Sequence, residues 1–94
     1  GKKICDMAHA YDINVQAHVC GSPLSVTAAL HLECAIPNFV IHEHHRIFLT
    51  QYNRELCVHD YQPVNGMYEI PELPGLGNEL SEYALTHCDK ITVE

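Results

Sequence analysis

A chain of 94 residues permits one small domain at most, and a domain of that size buries only somewhat over ~60% of the surface its unfolded form exposes. Hydrophobic content of 47% and charged content of 18% are those of a soluble globular chain, and no stretch approaches the ~20 apolar residues needed to span a bilayer. A formal charge of −7 with only five Lys and Arg leaves no basic surface for phosphates, so neither nucleic acid nor a membrane is expected as a partner.

Five cysteines (Cys5, Cys20, Cys34, Cys57 and Cys88) are an odd number without a CxxC pair. They read as reduced thiols of a cytoplasmic protein. Eight histidines are the compositional anomaly, and because imidazole titrates near neutrality and ligates metals, their positions matter more than their number.

In chain order, residues 3 to 11 place Ile4, Met7, Ala8 and Tyr11 at helical spacing until Asp12 breaks the pattern. Residues 13 to 18, INVQAH, suit a short strand that runs into Gly21, Ser22 and Pro23. The spacing predicts a second helix over Leu24 to Ile36, with Ser22 as N-cap, Pro23 at its first position and Leu24, Ala28, Leu32, Ala35 and Ile36 on one face. Pro37 and Asn38 stop it, and residues 39 to 43, FVIHE, read as another short strand.

Helix, strand, helix, strand in that order is the pattern of βαβ units, whose parallel strands are joined by a right-handed crossover. The ends carrying His18 and Glu43 then share one sheet edge, roughly 5 Å apart across one inter-strand spacing.

Residues 44 to 63 are polar and without a clear period, which predicts a long surface excursion. Residues 67 to 70 alternate. A brief helix is expected around Glu79 to His87, and the closing KITVE is strand-like.

Two parallel strands and one crossover helix leave a bare sheet edge on each side, so the chain is expected to be the C-terminal piece of a longer protein and to need the remainder of its own polypeptide as a partner.

The stretch HVCGSPLSVTAALHLECAIPNFVIHE, residues 18 to 43, resembles the seventh and eighth strand region of the (β/α)8 barrel in the mandelate racemase branch of the enolase superfamily, most closely its acid-sugar dehydratases of the galactonate and mannonate type. NGMYEIPELPGLGNEL, residues 65 to 80, resembles the stretch after the barrel, where the chain returns to an α+β capping domain.

The resemblance implies an α/β fold in which residues 1–45 supply the last βα units of the TIM-like barrel. Residues 46–94 would form a post-barrel excursion and tail packed on barrel and cap. It implies a Mg2+-dependent lyase that removes a proton beside a sugar-acid carboxylate and expels the β-hydroxyl as water. His18 matches the strand-seven acid/base residue and Glu43 the strand-eight glutamate near the substrate carboxylate. Glu43 there would be favoured in its protonated form. The Mg2+ ligands belong to earlier strands absent from this chain, and a homo-oligomer is expected.

Taken without the resemblance, His18 is a strand-end hydrogen-bonding histidine and Glu43 a solvated carboxylate. The run His42-Glu43-His44-His45 is not HExxH, and neighbouring strand residues point to opposite faces, so no metal ligand is assigned in it. His44 and His45 are expected to line the substrate pocket, together with Cys20, which has no base to make it a nucleophile. Gly75 and Gly77 suit turns, since no phosphate-loop spacing is present. Two other activities stay open: a racemase, epimerase or cycloisomerase on the same scaffold, and a non-catalytic histidine-rich metal-binding module.

Overall fold

A computed structural model of the chain describes residues 1–93. Helix α1 spans Lys2–His9, α2 Pro23–Cys34, α3 Gln51–Arg54 and α4 Glu82–His87, with a 3-10 turn at Arg46–Leu49. A Lys2 to Asp6 ion pair one turn apart ties the start of α1, and Asp12 ends that region in the left-handed conformation at φ 58°. Here the periodicity misled: Ile4, Met7 and Tyr11 are 71%, 68% and 79% exposed, and the buried residue of α1 is Cys5. The apolar stripe exists, but none of the described residues covers it.

Helix α2 begins as expected, with Ser22 at the N-cap and Pro23 inside the first turn. Its buried face is Pro23, Val26, Thr27, Leu30 and Glu33, a different face from the expected Leu24, Ala28, Leu32 and Ala35, although Ile36 of the expected face is buried just beyond the helix. Apolar residues lie around the whole circumference of this helix, so spacing carried no information about which side meets the core. Val26 and Leu30 instead pack with Val19 and Phe48, the last only 2% exposed.

Phe48 also revises the reading of residues 44 to 63. The excursion is anchored by that ring, by the Asn53 amide donating to the Gly21 carbonyl at 2.6 Å, and by the Gln62 amide donating to the Phe48 carbonyl at 3.1 Å. A single aromatic among polar residues has no period to announce it, yet one phenyl ring buries enough apolar area to hold a loop.

The two expected strands run parallel, but among the described residues they meet in a single bridge, Val15 to Phe39. Val15 N–H donates to the Asn38 carbonyl at 2.8 Å, and Val40 N–H to the Val15 carbonyl at 3.2 Å. The ladder goes no further because each segment has one neighbour here, and a two-stranded parallel pair gains little. Buried Asn38 supplies much of the register: its side-chain amide donates to the carbonyls of Cys5 at 3.1 Å and Ile13 at 2.8 Å.

Residues 64 to 67 close a tight turn, with Asn65 and Gly66 both at positive φ, an Asn-Gly turn signal between the excursion of residues 44 to 63 and the alternating residues 67 to 70. Cys57 pairs antiparallel with Leu80, and α4 is shorter than expected, beginning after Ser81, whose hydroxyl accepts from Ala84 N–H. Gly77, at φ 72°, packs where an added Cβ would lie 2.6 Å from the Pro71 Cβ, so both its conformation and its space require glycine. Residues 91 to 93 form no strand, with Ile91 and Val93 almost fully exposed; Glu94, the end of the expected strand, lies outside the described residues.

The radius of gyration is 14.9 Å, against about 12 Å for a compact domain of this length. The accessible surface of 6975 Å² likewise exceeds the roughly 5,500 Å² expected of a folded monomer of this mass. Much of the excess is apolar, including Phe39, Val40 and Ile41 on the open side of the parallel pair. The chain by itself is therefore expected to bind an apolar fluorescent dye and to melt without a cooperative calorimetric peak; a sharp two-state transition would contradict this.

Candidate functional site

Parallel pairing through Val15 and Phe39 brings the segment ends together, and there His18 Nδ1 lies 2.7 Å from Glu43 Oε2. The same oxygen accepts the Val19 backbone N–H at 2.6 Å. The other, Oε1, lies 3.2 Å from His45 Nε2, close enough for charge pairing though not aligned as a hydrogen bond. One carboxylate thus holds two imidazoles, whose rings stand nearly perpendicular at 87° with centroids 5.6 Å apart.

The Val19 N–H bond, with smaller contributions from the His18 and His45 charges, holds the Glu43 carboxyl below the usual carboxylate range, against the opposing effect of partial burial. Glu43 is accordingly ionised at neutral pH in this chain. The expectation of a protonated Glu43 concerned the carboxyl beside a bound substrate carboxylate and counted no backbone donor; the Val19 N–H is a contribution that opposes it. The donor was not legible, because it depends on how the chain turns at Val19 after the segment ends.

The sequence-derived site residues divide into two groups. His18, Cys20, Glu43 and His45 gather, the donor atoms of His18, Cys20 and His45 all lying within 4.8 Å of one another. His44 does not join them. Its Nδ1 is 2.6 Å from the Tyr68 hydroxyl and its ring packs against Phe48. Burial, with the charges of Asp60 and Glu33 adding to it, pushes the Tyr68 phenol up to about 12, so it stays protonated in its hydrogen bond with His44.

A pair that sequence reasoning passed over lies beneath the site. His42 Nδ1 is 2.7 Å from Glu33 Oε2, with the two side chains 8% and 4% exposed. They form one wall of an apolar groove of about 620 Å³, lined also by Leu30, Val40, Met67 and Tyr68. The available signal was a lone acid on an apolar helix, which needs a partner if it faces inward. Backbone alternation then explains the division: with His42 turned to α2, Glu43 must turn the other way, toward His18.

Magnesium favours octahedral sets of oxygen ligands, whereas the cluster of possible ligands among the described residues consists of nitrogen and sulfur donors. The residues present do not fit that ion. The cysteines are free thiols among the described residues, and no described helix is long and apolar enough to cross a membrane.

The sequence profile of the family described as enolase C-terminal domain-like matches residues 1–84. The chain belongs to that family. Its α/β architecture is that of the enolase superfamily: over 98% of its length it superposes on a member from Salmonella Typhimurium with a TM-score of 0.92 and 59% sequence identity, covering 24% of that chain. It is also 40% identical over 76 residues to a D-xylonate dehydratase of Haloferax volcanii, a match that takes in 81% of this chain and 18% of the relative. A D-mannonate dehydratase of Novosphingobium aromaticivorans is 31% identical over 83 residues, 86% of this chain and 20% of that enzyme. The chain therefore spans about a fifth of the length of these enolase-superfamily relatives.

Proposed function

We propose that these residues are the C-terminal part of a sugar-acid dehydratase of the enolase superfamily, contributing strands seven and eight of its barrel and the tail that follows. The carrying observation is the His18 to Glu43 contact at 2.7 Å, formed where two parallel segments end. Two dehydratases that act on sugar acids among the relatives, and the uncovered apolar surface along residues 39 to 41, support the reading. That surface is the side on which further strands of the same polypeptide would pair. Five unpaired thiols accord with a cytoplasmic enzyme, and a homo-oligomer remains part of the proposal.

In this proposal the β-hydroxyl of a sugar acid departs as water after the α-proton has been removed. His18, as imidazolium, gives its proton to that hydroxyl. Glu43, ionised and in contact with Nδ1, orients the ring and leaves Nε2 as the nitrogen that faces substrate. His45, held by the same carboxylate, and the Cys20 thiol line the approach, and His44 belongs to the packing around Tyr68 instead. Magnesium is proposed for the whole enzyme with ligands beyond this chain, and no role of His18 or Glu43 described here depends on it.

The test is the product that the full-length protein forms from D-xylonate, D-mannonate and related acids. A 2-keto-3-deoxy acid is expected. Solvent deuterium incorporated into unreacted or inverted acid, without keto product, would replace dehydration by racemisation on the same scaffold.

A further inference from the structure

We propose that His45 is a positioning residue that aims the His18 ring by holding the far oxygen of Glu43, an inference that rests on the dehydratase reading. Glu43 Oε2 carries two contacts, the Val19 N–H at 2.6 Å and His18 Nδ1 at 2.7 Å. Among the described residues the ion-pair contact of Oε1 is His45 Nε2, at 3.2 Å. A carboxylate held through one oxygen still swings about its last side-chain torsion, whose energy well is broad, and that swing redirects the lone pair of Oε2 that meets His18. A contact on Oε1 stops it.

His45 is anchored well enough to serve. As N-cap of the 3-10 turn at Arg46–Leu49, its carbonyl accepts the Phe48 N–H at 3.0 Å, and its ring stands edge-on to the Phe48 ring at 89° with centroids 6.1 Å apart. Phe48 in turn packs with Val19 in one buried cluster. The two supports of Glu43, the backbone of Val19 and the ring of His45, are therefore tied to the same piece of core. His18, 75% exposed at its side chain, takes its direction from Glu43 and from the perpendicular ring of His45, 5.6 Å away. His45 Nε2 is itself buried and lacks an aligned hydrogen-bond partner among the described residues. An unpaired buried nitrogen is costly, so tightening onto Oε1 is the direction in which this contact improves when substrate fills the site.

The step that depends on this aim is the departure of water. As the C–O bond breaks and its electron pair goes to oxygen, the Nε2 proton of the His18 imidazolium moves to that oxygen and leaves a neutral ring. Misplacement by about 1 Å can slow such a transfer ~10²-fold. Removal of the α-proton comes earlier and does not use His18 in this reading, so it is insensitive to His45.

The test compares His45→Phe with His45→Gln in the full-length protein, in deuterated water, on a sugar acid that the wild-type protein converts to keto product. Phenylalanine keeps a ring against Phe48 and offers nothing to Oε1, whereas the glutamine amide reaches about as far as Nε2 and restores a donor. His45→Phe is expected to lower keto-product formation ~10- to 100-fold, with equilibrium binding of a non-reacting sugar acid changed by only a few-fold. It should also return unreacted acid carrying more solvent deuterium at its α-carbon per product formed, because the enediolate reverts when water leaves slowly. His45→Gln should recover most of the rate. Exchange and product falling together in His45→Phe, a wild-type rate in that variant, or a loss that glutamine leaves unrepaired overturns the inference while the dehydratase reading stands. A wild-type protein that forms keto product from no sugar acid removes that reading, and this inference with it.

Discussion

Replacing His18 with Asn in the full-length protein is expected to lower the rate of dehydration by ~10²- to 10⁴-fold, the usual contribution of a positioned acid or base, while the sugar acid still binds. The amide can fill the volume of the near half of the ring and keep a polar contact to Glu43. It cannot carry a proton at the position of Nε2. The loss should therefore appear in kcat, with the substrate dissociation constant changed by only a few-fold, because an interaction made in the transition state has been removed. Product formation measured beside equilibrium binding of a non-reacting sugar acid separates the two. Full activity in His18→Asn would remove this residue from the mechanism and with it the proposed role of the Glu43 contact.

Breaking the Glu33 and His42 pair is expected to have the largest effect on stability. The hydrogen bond is 2.7 Å long and both side chains are nearly fully buried. Removing one partner of such a pair leaves an uncompensated polar group in an apolar wall and typically costs ~3–5 kcal/mol, whereas replacing both by apolar residues of similar size is often close to neutral. Glu33→Leu and His42→Leu should each lower the denaturation midpoint of the full-length protein substantially, and the double variant should recover most of the loss. Two single effects that simply add in the double variant would show the groups are not coupled. The double variant also reports on the site: if packing between α2 and residue 42 is enough to turn Glu43 toward His18, activity returns with stability, and if the hydrogen bond itself sets that direction, activity stays low.

The local elements were read from residues that act through neighbours a few positions away. Pro23 after Ser22 starts α2, Pro37 and Asn38 stop the chain after it, and Asp12 ends the region of α1, since fixed dihedrals and lost donors operate at any tertiary context. The Asn65-Gly66 turn was equally legible and was overlooked. Faces were another matter. In α2 apolar residues on every side made any stripe drawn on it arbitrary, and in α1 a true stripe faces away from the core, with none of the described residues covering it.

The amino-acid sequence by itself determined which groups were available for chemistry: an imidazole at the end of one extended segment, a carboxylate at the end of the next, and a crossover helix between them that forces those ends to the same edge. Only the tertiary structure decided that the Val19 N–H reaches Glu43 and holds its carboxyl below the usual range, that His45 shares its carboxylate while His44 turns to Tyr68, and that Cys20 comes within reach of both imidazoles. The reason is physical. Crossover handedness and backbone alternation follow from covalent geometry, which every residue carries with it, but a hydrogen bond from Val19 or a ring against Phe48 exists only after distant parts of the chain have packed.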